Sequence, residues 1–315
     1  MIRKIIILIS ITALLFTSSA CKLSRNLGLS PQGTQNNTEE SRNKPLEINT
    51  SIPPDVDYIK DVIYGSGGGR PLKLNILCPT GESSKPLPVI VWIHGGGWNS
   101  GSKDDYNIQL SSFAQRGYFV ACIEYRFSTE AKFPAQIQDC KCAVRFLRAK
   151  AKEYNIDPNR IAAWGASAGG HLGALLGTTA DIKEFEGDGG WNDIPSNVQA
   201  VCDWYGPTDF MDITKYTGFP IELVLQLVDG SIMDLKEKGV KASPTTYVTK
   251  GDSPFLIMHG DNDTIVPISQ SQILYDHLKE SDVNAIFHIV AGGGHGFGGI
   301  DEMRVVKDFL DKQLK

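Results

Sequence analysis

Apolar runs that alternate with helical segments constrain the fold of this chain more than any other feature. Eight strands are predicted between residues 58 and 290, most of them continuous apolar runs such as "PVIVWIH" and "PFLIMHG". Such runs are typical of strands that are covered on both faces. Helices are predicted between them, at about 105–116, 134–153, 168–180, 267–280 and 300–313. The alternation predicts an α/β protein with a mostly parallel sheet and helices on both faces.

The first 21 residues have the layout of an export signal. Arg3 and Lys4 precede the apolar run "IIILISITALLF", which is too short to span a bilayer as a helix. The small residues "TSSA" are followed by Cys21, an arrangement that resembles a bacterial lipobox, whose cysteine becomes the lipidated N-terminus. We expect an exported lipoprotein that touches the membrane only through Cys21. Plain secretion and an uncleaved anchor are the alternatives.

The remaining chain divides into a polar tether and a catalytic body. Residues 22–54 are rich in Ser, Asn, Thr, Gly and Pro and predict a flexible tether. Residues 55–315 are expected to form one domain. Apart from Cys21 the chain has five cysteines, an odd number, so at least one thiol cannot pair within the chain. With a net charge of −5 and no basic stripe, the composition argues against nucleic-acid binding.

Ligands of mostly parallel sheets bind outside the carboxyl ends of the strands, and a serine lies at one of these ends. The segment "WGASAGGH" contains the pattern G-x-S-x-G at Gly165, Ser167 and Gly169, between a predicted strand and a predicted helix. A tight turn of this kind needs small residues beside the serine and exposes its hydroxyl at a helix N-terminus. Ser167 is therefore a candidate nucleophile.

A glycine-rich loop follows an earlier strand in "WIHGGGWNSG", residues 92–101. Neither a dinucleotide-binding pattern nor a phosphate-binding GxxxxGK[ST] is present. Glycines leave backbone N–H groups unshielded, so that they can stabilise a developing oxyanion. The pattern matches the HGGG element of esterases and lipases.

An acid and a base are predicted after the last two strands. Asp261 and Asp263 follow one strand, and a carboxylate there could orient a histidine, although either residue could instead cap the next turn. Of the six histidines, only His295 lies on a glycine-lined loop, "VAGGGHGFGG". His94 and His259 are interpreted as hydrogen-bonding supports of their loops. His171, one helical turn after Ser167, is a candidate for lining the site.

Together these segments resemble an α/β-hydrolase of the bifunctional feruloyl and acetyl xylan esterase-like family, related to the hormone-sensitive-lipase group of carboxylesterases. The resemblance covers most of residues 58–313 and includes "FPAQIQDCKCAVRFLRAKA" and "VCDWYGPTDF". It implies an eight-stranded α/β-hydrolase fold with a small cap at about 208–250. It implies a catalytic triad of Ser167, Asp263 and His295, in which Asp263 occupies the last position of HGxxD.

The resemblance also implies an oxyanion hole formed by the backbone N–H groups of Gly96, Gly97 and Ala168. No cofactor or metal is required by such an enzyme. The expected substrate is a short-acyl or feruloyl ester of acetyl xylan or a related plant polysaccharide. Candidate substrate contacts are Trp98, His171, Trp204 and Tyr205, with core packing as the alternative for the aromatic residues. The alternative functions are a serine peptidase of the prolyl-oligopeptidase type and a non-catalytic binding module on a hydrolase fold.

Overall fold

A computed structural model describes residue 46, residues 49–215 and residues 218–315. The predicted signal segment, Cys21 and most of the predicted tether lie outside these residues. Eight strands are present in the described part, each of them at a predicted position. Their bounds are β1 Val56–Gly67, β2 Arg70–Pro79, β3 Leu87–Ile93, β4 Phe119–Ile123, β5 Ile156–Ala166, β6 Ala200–Trp204, β7 Phe255–Gly260 and β8 Ala285–Val290.

The strands form one sheet in the order β1-β2-β4-β3-β5-β6-β7-β8. The pairs β1–β2 and β2–β4 are antiparallel, and every other neighbouring pair is parallel. The β1–β2 hairpin turns at Gly68 and Gly69, whose positive φ values of +59° and +81° suit the two central positions of a tight hairpin turn. This arrangement confirms the predicted mostly parallel, eight-stranded sheet.

Helices cover the sheet. Their bounds in the described residues are α1 Asn107–Ala114, α2 Ala135–Ala149, α3 Ala151–Tyr154, α4 Ala168–Thr178, α5 Phe210–Ile213, α6 Ile221–Val228, α7 Leu235–Ala242, α8 Ser269–Glu280 and α9 Ile300–Leu314. The helix predicted at 134–153 is interrupted at Lys150, which leaves helical geometry at ψ +10°. Within the described ranges, no helix combines the length and the apolar character that crossing a membrane would require.

The core lies on both faces of the sheet, as the continuous apolar strands predict. Alternate residues of β3 belong to separate clusters, with Val91 on one face and Trp92 on the other. On the second face Trp92 meets Trp164 and Trp204 at ring-centroid distances of 5.2 and 6.1 Å. All five cysteines of the described residues are buried, and no disulfide joins any two of them, which fits the odd number of thiols.

Residues 208–250 contain the short helices α5, α6 and α7, at the position predicted for a cap. The carboxyl end of helix α6 is hydrogen-bonded to the segment that precedes α2. The carbonyl of Leu227 accepts a hydrogen bond of 2.8 Å from the N–H of Phe133, and that of Gln226 accepts one of 2.9 Å from Nζ of Lys132. These bonds hold α6 over the carboxyl ends of the strands.

Candidate active site

Ser167 occupies a strained turn between β5 and α4. Its φ of +55° and ψ of −119° are unusual for a residue with a side chain and are of the kind found at functional sites. The flanking glycines are required by close packing. A Cβ atom on Gly165 would lie 2.2 Å from the carbonyl oxygen of Gly169, and one on Gly169 would lie 2.0 Å from that of Ile93. The tight turn therefore explains the G-x-S-x-G spacing.

His295, on the loop after β8, contacts both Ser167 and Asp263. Its Nε2 atom lies 3.0 Å from Oγ of Ser167, and its Nδ1 atom lies 2.8 Å from Oδ2 of Asp263. A carboxylate can only accept, so Nδ1 carries the proton and Nε2 is free to accept the serine O–H. The loop reaches this position through glycines, among them Gly296 with a φ of +141°.

Asp263 is enclosed, with a side chain that is 0% exposed. Its Oδ1 atom accepts hydrogen bonds of 2.8 and 2.9 Å from the N–H groups of Ile265 and Val266. Burial acts to raise the pKa of the Asp263 carboxyl. The hydrogen bonds from His259, His295 and the backbone outweigh burial and hold this pKa well below its usual range. Asp263 is therefore a carboxylate throughout the neutral range.

The second aspartate of this loop has a different position. Oδ1 of Asp261 accepts a hydrogen bond of 2.7 Å from the N–H of Gly292, at the start of the loop that carries His295. Asp261 is exposed, whereas the acid that contacts the imidazole is buried. The geometry thus distinguishes two residues that the local sequence pattern alone left equivalent.

The glycine loop after β3 lies against the serine turn. A Cβ atom on Gly95 would lie 2.9 Å from the carbonyl oxygen of Ala166 and 3.4 Å from Cβ of Ser167. Gly96 and Gly97 have φ values of +110° and +59°. In the part of the chain that the structure describes, the N–H groups of Gly96, Gly97 and Ala168 have no hydrogen-bond acceptor. They are available to an oxygen atom bound beside Ser167.

His171 and Trp98 form buried hydrogen bonds that support the glycine loop. The indole N–H of Trp98 donates to Nδ1 of His171 at 3.1 Å, and Nε2 of His171 donates to the carbonyl of Ala242 at 2.8 Å. His171 is fully buried, and burial lowers its pKa to about 4. Because both ring nitrogens are occupied and no surface is exposed, the predicted substrate contact of His171 is wrong, and the residue joins the loop to the cap.

A cavity of about 430 Å³ opens above Ser167. Its lining includes the apolar side chains of Phe219 and Leu223 of the cap and Ile265 after β7, and also Asp105 and Tyr106. Of the predicted aromatic contacts, Trp98 and Tyr205 line the cavity, although they are only 1% and 3% exposed.

Trp204 is 0% exposed, and its ring packs 5.0 Å from that of Phe297 and 5.0 Å from that of Trp164. Its predicted role as a substrate contact is therefore wrong, because the indole is fully buried among other aromatic rings. Trp191 is 38% exposed but lies outside the cavity, with its N–H bonded to the carbonyl of Tyr64.

Sequence reasoning missed three parts of the site. The cap contacts of Phe219 and Leu223 and the rim residue Asp105 belong to no recognisable motif, and only tertiary packing brings them to Ser167. It also missed that His259 approaches Asp263, with 3.2 Å between Nε2 and Oδ2. The one available signal was the spacing of four residues between His259 and Asp263 across a tight turn. No group of three or more potential metal ligands occurs among the described residues.

Comparison with known proteins shows that the chain is similar to esterases. A family model described as BD-FAE matches residues 74–278. The chain is similar to Esterase LipC of Mycobacterium tuberculosis, with 32% identity over 233 residues that make up 70% of this chain and 56% of that protein. The curated relatives are longer, and the chain spans about half to two thirds of their length.

Two solved structures are also similar to this chain. One is described as a truncated form of carbohydrate esterase from gut microbiota, with 30% identity, a TM-score of 0.71, and coverage of 85% of this chain and 98% of that one. The other is a bifunctional GH43-CE protein of Bacteroides eggerthii, with 31% identity, a TM-score of 0.76, and coverage of 82% and 38%.

Proposed function

Since the chain belongs to the BD-FAE family, we propose that it is a serine carboxylesterase in which Ser167, His295 and Asp263 form the catalytic triad. One observation carries the proposal. Ser167, His295 and Asp263 are joined by hydrogen bonds of 3.0 and 2.8 Å, and Ser167 and His295 line an open cavity beside unoccupied backbone N–H groups. A nucleophile, a base with a fixed tautomer and oxyanion donors are the components of acyl transfer.

In the first half-reaction, Nε2 of His295 takes the proton of the Ser167 hydroxyl as the serine oxygen attacks the ester carbonyl carbon. The carbonyl oxygen becomes an oxyanion and is held by the N–H groups of Gly96, Gly97 and Ala168, donors of a kind that each contribute roughly 3 kcal/mol. The carboxylate of Asp263 stabilises the imidazolium. His295 then gives its proton to the leaving alkoxide, and the acyl group stays on Ser167.

The second half-reaction releases the acyl group. A water molecule gives a proton to Nε2 of His295 and attacks the acyl carbon, and the same N–H groups hold the second oxyanion. Collapse of this intermediate returns the proton to the Ser167 oxygen and frees the carboxylic acid. Every proton moves between substrate, water and the residues of this chain.

The proposed substrates are short-acyl or feruloyl esters of acetyl xylan or a related plant polysaccharide. The cavity of about 430 Å³ suits a small acyl group against Leu223 and Phe219. Also in the lining, the exposed carboxylate of Asp105 and the half-buried ring of Tyr106 offer polar and aromatic contacts to a hydroxylated leaving group. The similarity to a carbohydrate esterase from gut microbiota supports this substrate class.

A substrate panel tests the proposal. Acetylated xylan, methyl ferulate, p-nitrophenyl acetate and an aminoacyl-nitroanilide are compared at equal enzyme concentration. The proposal predicts hydrolysis of p-nitrophenyl acetate and release of acetate or ferulate from the first two substrates. Cleavage of the nitroanilide alone would indicate a serine peptidase, and no turnover of any substrate would indicate a binding module.

The same proposal includes export and lipidation at Cys21, which would hold the enzyme at a membrane surface over hydrated polymer. The support is the N-terminal sequence, in which basic residues, an apolar run and small residues precede Cys21. Expression of the full chain in a bacterium with labelled palmitate tests it. Label is expected on the wild-type protein and not on Cys21→Ser, and an unlabelled wild-type protein would contradict lipidation.

A further inference from the structure

One oxygen atom of Asp263 lies close to two imidazole rings. Oδ2 lies 2.8 Å from Nδ1 of His295 and 3.2 Å from Nε2 of His259. His295 is partly exposed at 16%, whereas His259 is completely buried. Two backbone N–H groups donate to the other carboxylate oxygen, Oδ1, so both oxygens of Asp263 have N–H groups beside them.

The surroundings of His259 fix which of its nitrogens carries the proton. Nε2 lies 2.9 Å from the carbonyl oxygen of Val266, which can only accept, so Nε2 is protonated. Nδ1 lies 2.7 Å from Oγ of Ser271, within hydrogen-bond distance. The Nε2–H of His259 therefore donates to Val266 with Oδ2 of Asp263 3.2 Å away, and contacts on both sides hold the ring in place.

We propose that His259 is a positioning residue, which holds the Asp263 carboxylate in the orientation that His295 requires. This inference deepens the proposed esterase function and rests on it. A carboxylate bound by backbone N–H groups through Oδ1 alone can still turn about the bond that joins it to Cβ. A second N–H on Oδ2, from a buried and immobile ring, opposes that rotation. Ligand-orienting partners of this kind typically change activity by 10–100-fold when removed from metal sites.

Two matched variants of His259 distinguish the effect of its N–H donor from the effect of its volume in the core. The amide nitrogen of Gln can occupy the position of a histidine Nε2, whereas that of Asn falls near Nδ1. His259→Gln thus keeps a donor to Asp263, and His259→Asn keeps only the contact with Ser271. Ser271→Ala, which removes the opposite partner of the ring, tests how far the fixed position of the ring matters. The melting temperature of each full-chain variant reports whether it is folded.

Steady-state kinetics with p-nitrophenyl acetate give the first readout. His259→Asn is expected to lower kcat by about 30-fold with KM within about twofold, because the binding cavity is untouched. His259→Gln is expected to stay within about threefold of the wild type, and Ser271→Ala to fall between the two. Folded Asn and Gln variants with equal activity would overturn the proposal, whether both were active or both impaired.

Proton NMR with ¹⁵N-labelled histidine gives a readout that does not depend on turnover. The proton between His295 Nδ1 and Asp263 is assigned by its loss in His295→Ala. In His259→Asn it is expected to exchange with water at least about tenfold faster than in the wild type, and in His259→Gln to be unchanged. An unchanged proton in a folded Asn variant would overturn the inference. If the wild type hydrolysed no ester, the proposed function would fail, and this resonance would still decide the role of His259.

Discussion

Leu223 of the cap packs directly on Gly97 of the glycine loop: a Cβ atom on Gly97 would lie 2.6 Å from Cδ1 of Leu223. The contact joins α6 to the loop that we propose as the oxyanion site. Because the φ of Gly97 is +59°, its backbone also favours glycine. The cap thus restricts the glycine loop as well as forming a wall of the cavity.

Gly97→Ala is expected to lower kcat for p-nitrophenyl acetate by about 10–100-fold, since the new methyl group displaces a proposed oxyanion donor. KM should change less, because the donor matters mainly in the transition state. Adding Leu223→Ala to this variant should recover part of the loss. A double variant as inactive as the single one would show that the contact with Leu223 is not the cause.

Replacement of Ser167 should separate activity from stability. Ser167→Ala and Ser167→Gly are both expected to lower kcat by about 10³-fold or more. The free energy of unfolding of Ser167→Gly should also exceed that of Ser167→Ala by about 1 kcal/mol, because glycine relieves the strain of the φ of +55°. Ser167→Gly should therefore unfold at a higher temperature. Differential scanning calorimetry measures the second effect. Residual activity within tenfold of the wild type would contradict the assignment of the nucleophile.

The two aspartates after β7 should differ in their effect on rate. Asp263→Asn is expected to lower kcat by roughly 10²–10⁴-fold, because His295 loses the acceptor that fixes its tautomer. Asp261→Asn should cost less than about tenfold, since this residue bonds the N–H of Gly292 and does not contact the imidazole. The comparison is made at saturating p-nitrophenyl acetate, and the reverse order of severity would overturn the role of Asp263.

Burial of His171 predicts a loss of stability in acid. The folded protein protonates this residue only near pH 4, whereas the unfolded chain does so near pH 6.5. Between these values the unfolded chain binds more protons, so stability falls as the pH is lowered through this window. His171→Gln should therefore reduce the stability difference between pH 7 and pH 4.5 by about 2–3 kcal/mol, measured by urea unfolding.

The pH dependence of stability must be compared between the wild type and His171→Gln, because Asp203 affects stability in the opposite direction in both proteins. Burial raises the pKa of Asp203 to about 6, so its contribution to stability is present at low pH and is lost as the pH rises. This effect is common to the wild type and to His171→Gln and cancels in the difference. Identical pH dependence in both proteins would show that His171 is not the cause.

Acyl-chain preference should follow the apolar wall of the cavity. Acetyl and butyryl esters are expected to have a higher kcat/KM than esters beyond about eight carbons. Each methylene that the cavity can bury contributes only ~0.8 kcal/mol, and the part of a longer chain that extends beyond the cavity remains in water or clashes. Leu223→Ala, which enlarges the cavity, should shift the optimum acyl-chain length toward longer chains. The matched control is Met233→Ala, since Met233 is 91% exposed and lies outside the cavity. A steady rise in kcat/KM up to palmitoyl esters in the wild type would favour a lipase.

The fold could be predicted because its signals are local. The apolar runs that became β3 and β7 are continuous, and each strand is bounded by glycine, proline or polar residues. Ser167 was identifiable for the same reason, since its glycine neighbours are dictated by backbone atoms only a few residues away or on the adjoining strand. His295 stood out because few roles other than reaching a distant group suit a histidine between glycines.

Features that depend on tertiary packing were not predictable from local sequence. Trp204 was proposed as a substrate contact because an aromatic residue after a strand can line a site, yet Trp92 and Trp164 enclose it. His171 was placed near the site by its helical spacing from Ser167, but its rotamer directs it to Ala242. Leu223 and Asp105 reach the cavity from segments without any motif.

The five enclosed thiols have a practical consequence for how opening of this protein can be followed. They lie at Cys78, Cys122, Cys140, Cys142 and Cys202, on β2, β4, α2 and β6. Burial raises the pKa of each of Cys122, Cys140, Cys142 and Cys202, which keeps these thiols protonated and poorly reactive. A maleimide can therefore react at these positions only when the segment that carries the cysteine opens. Mass spectrometry of the labelled peptides would then rank the elements by how readily each one exposes its sulfur, without any engineered probe.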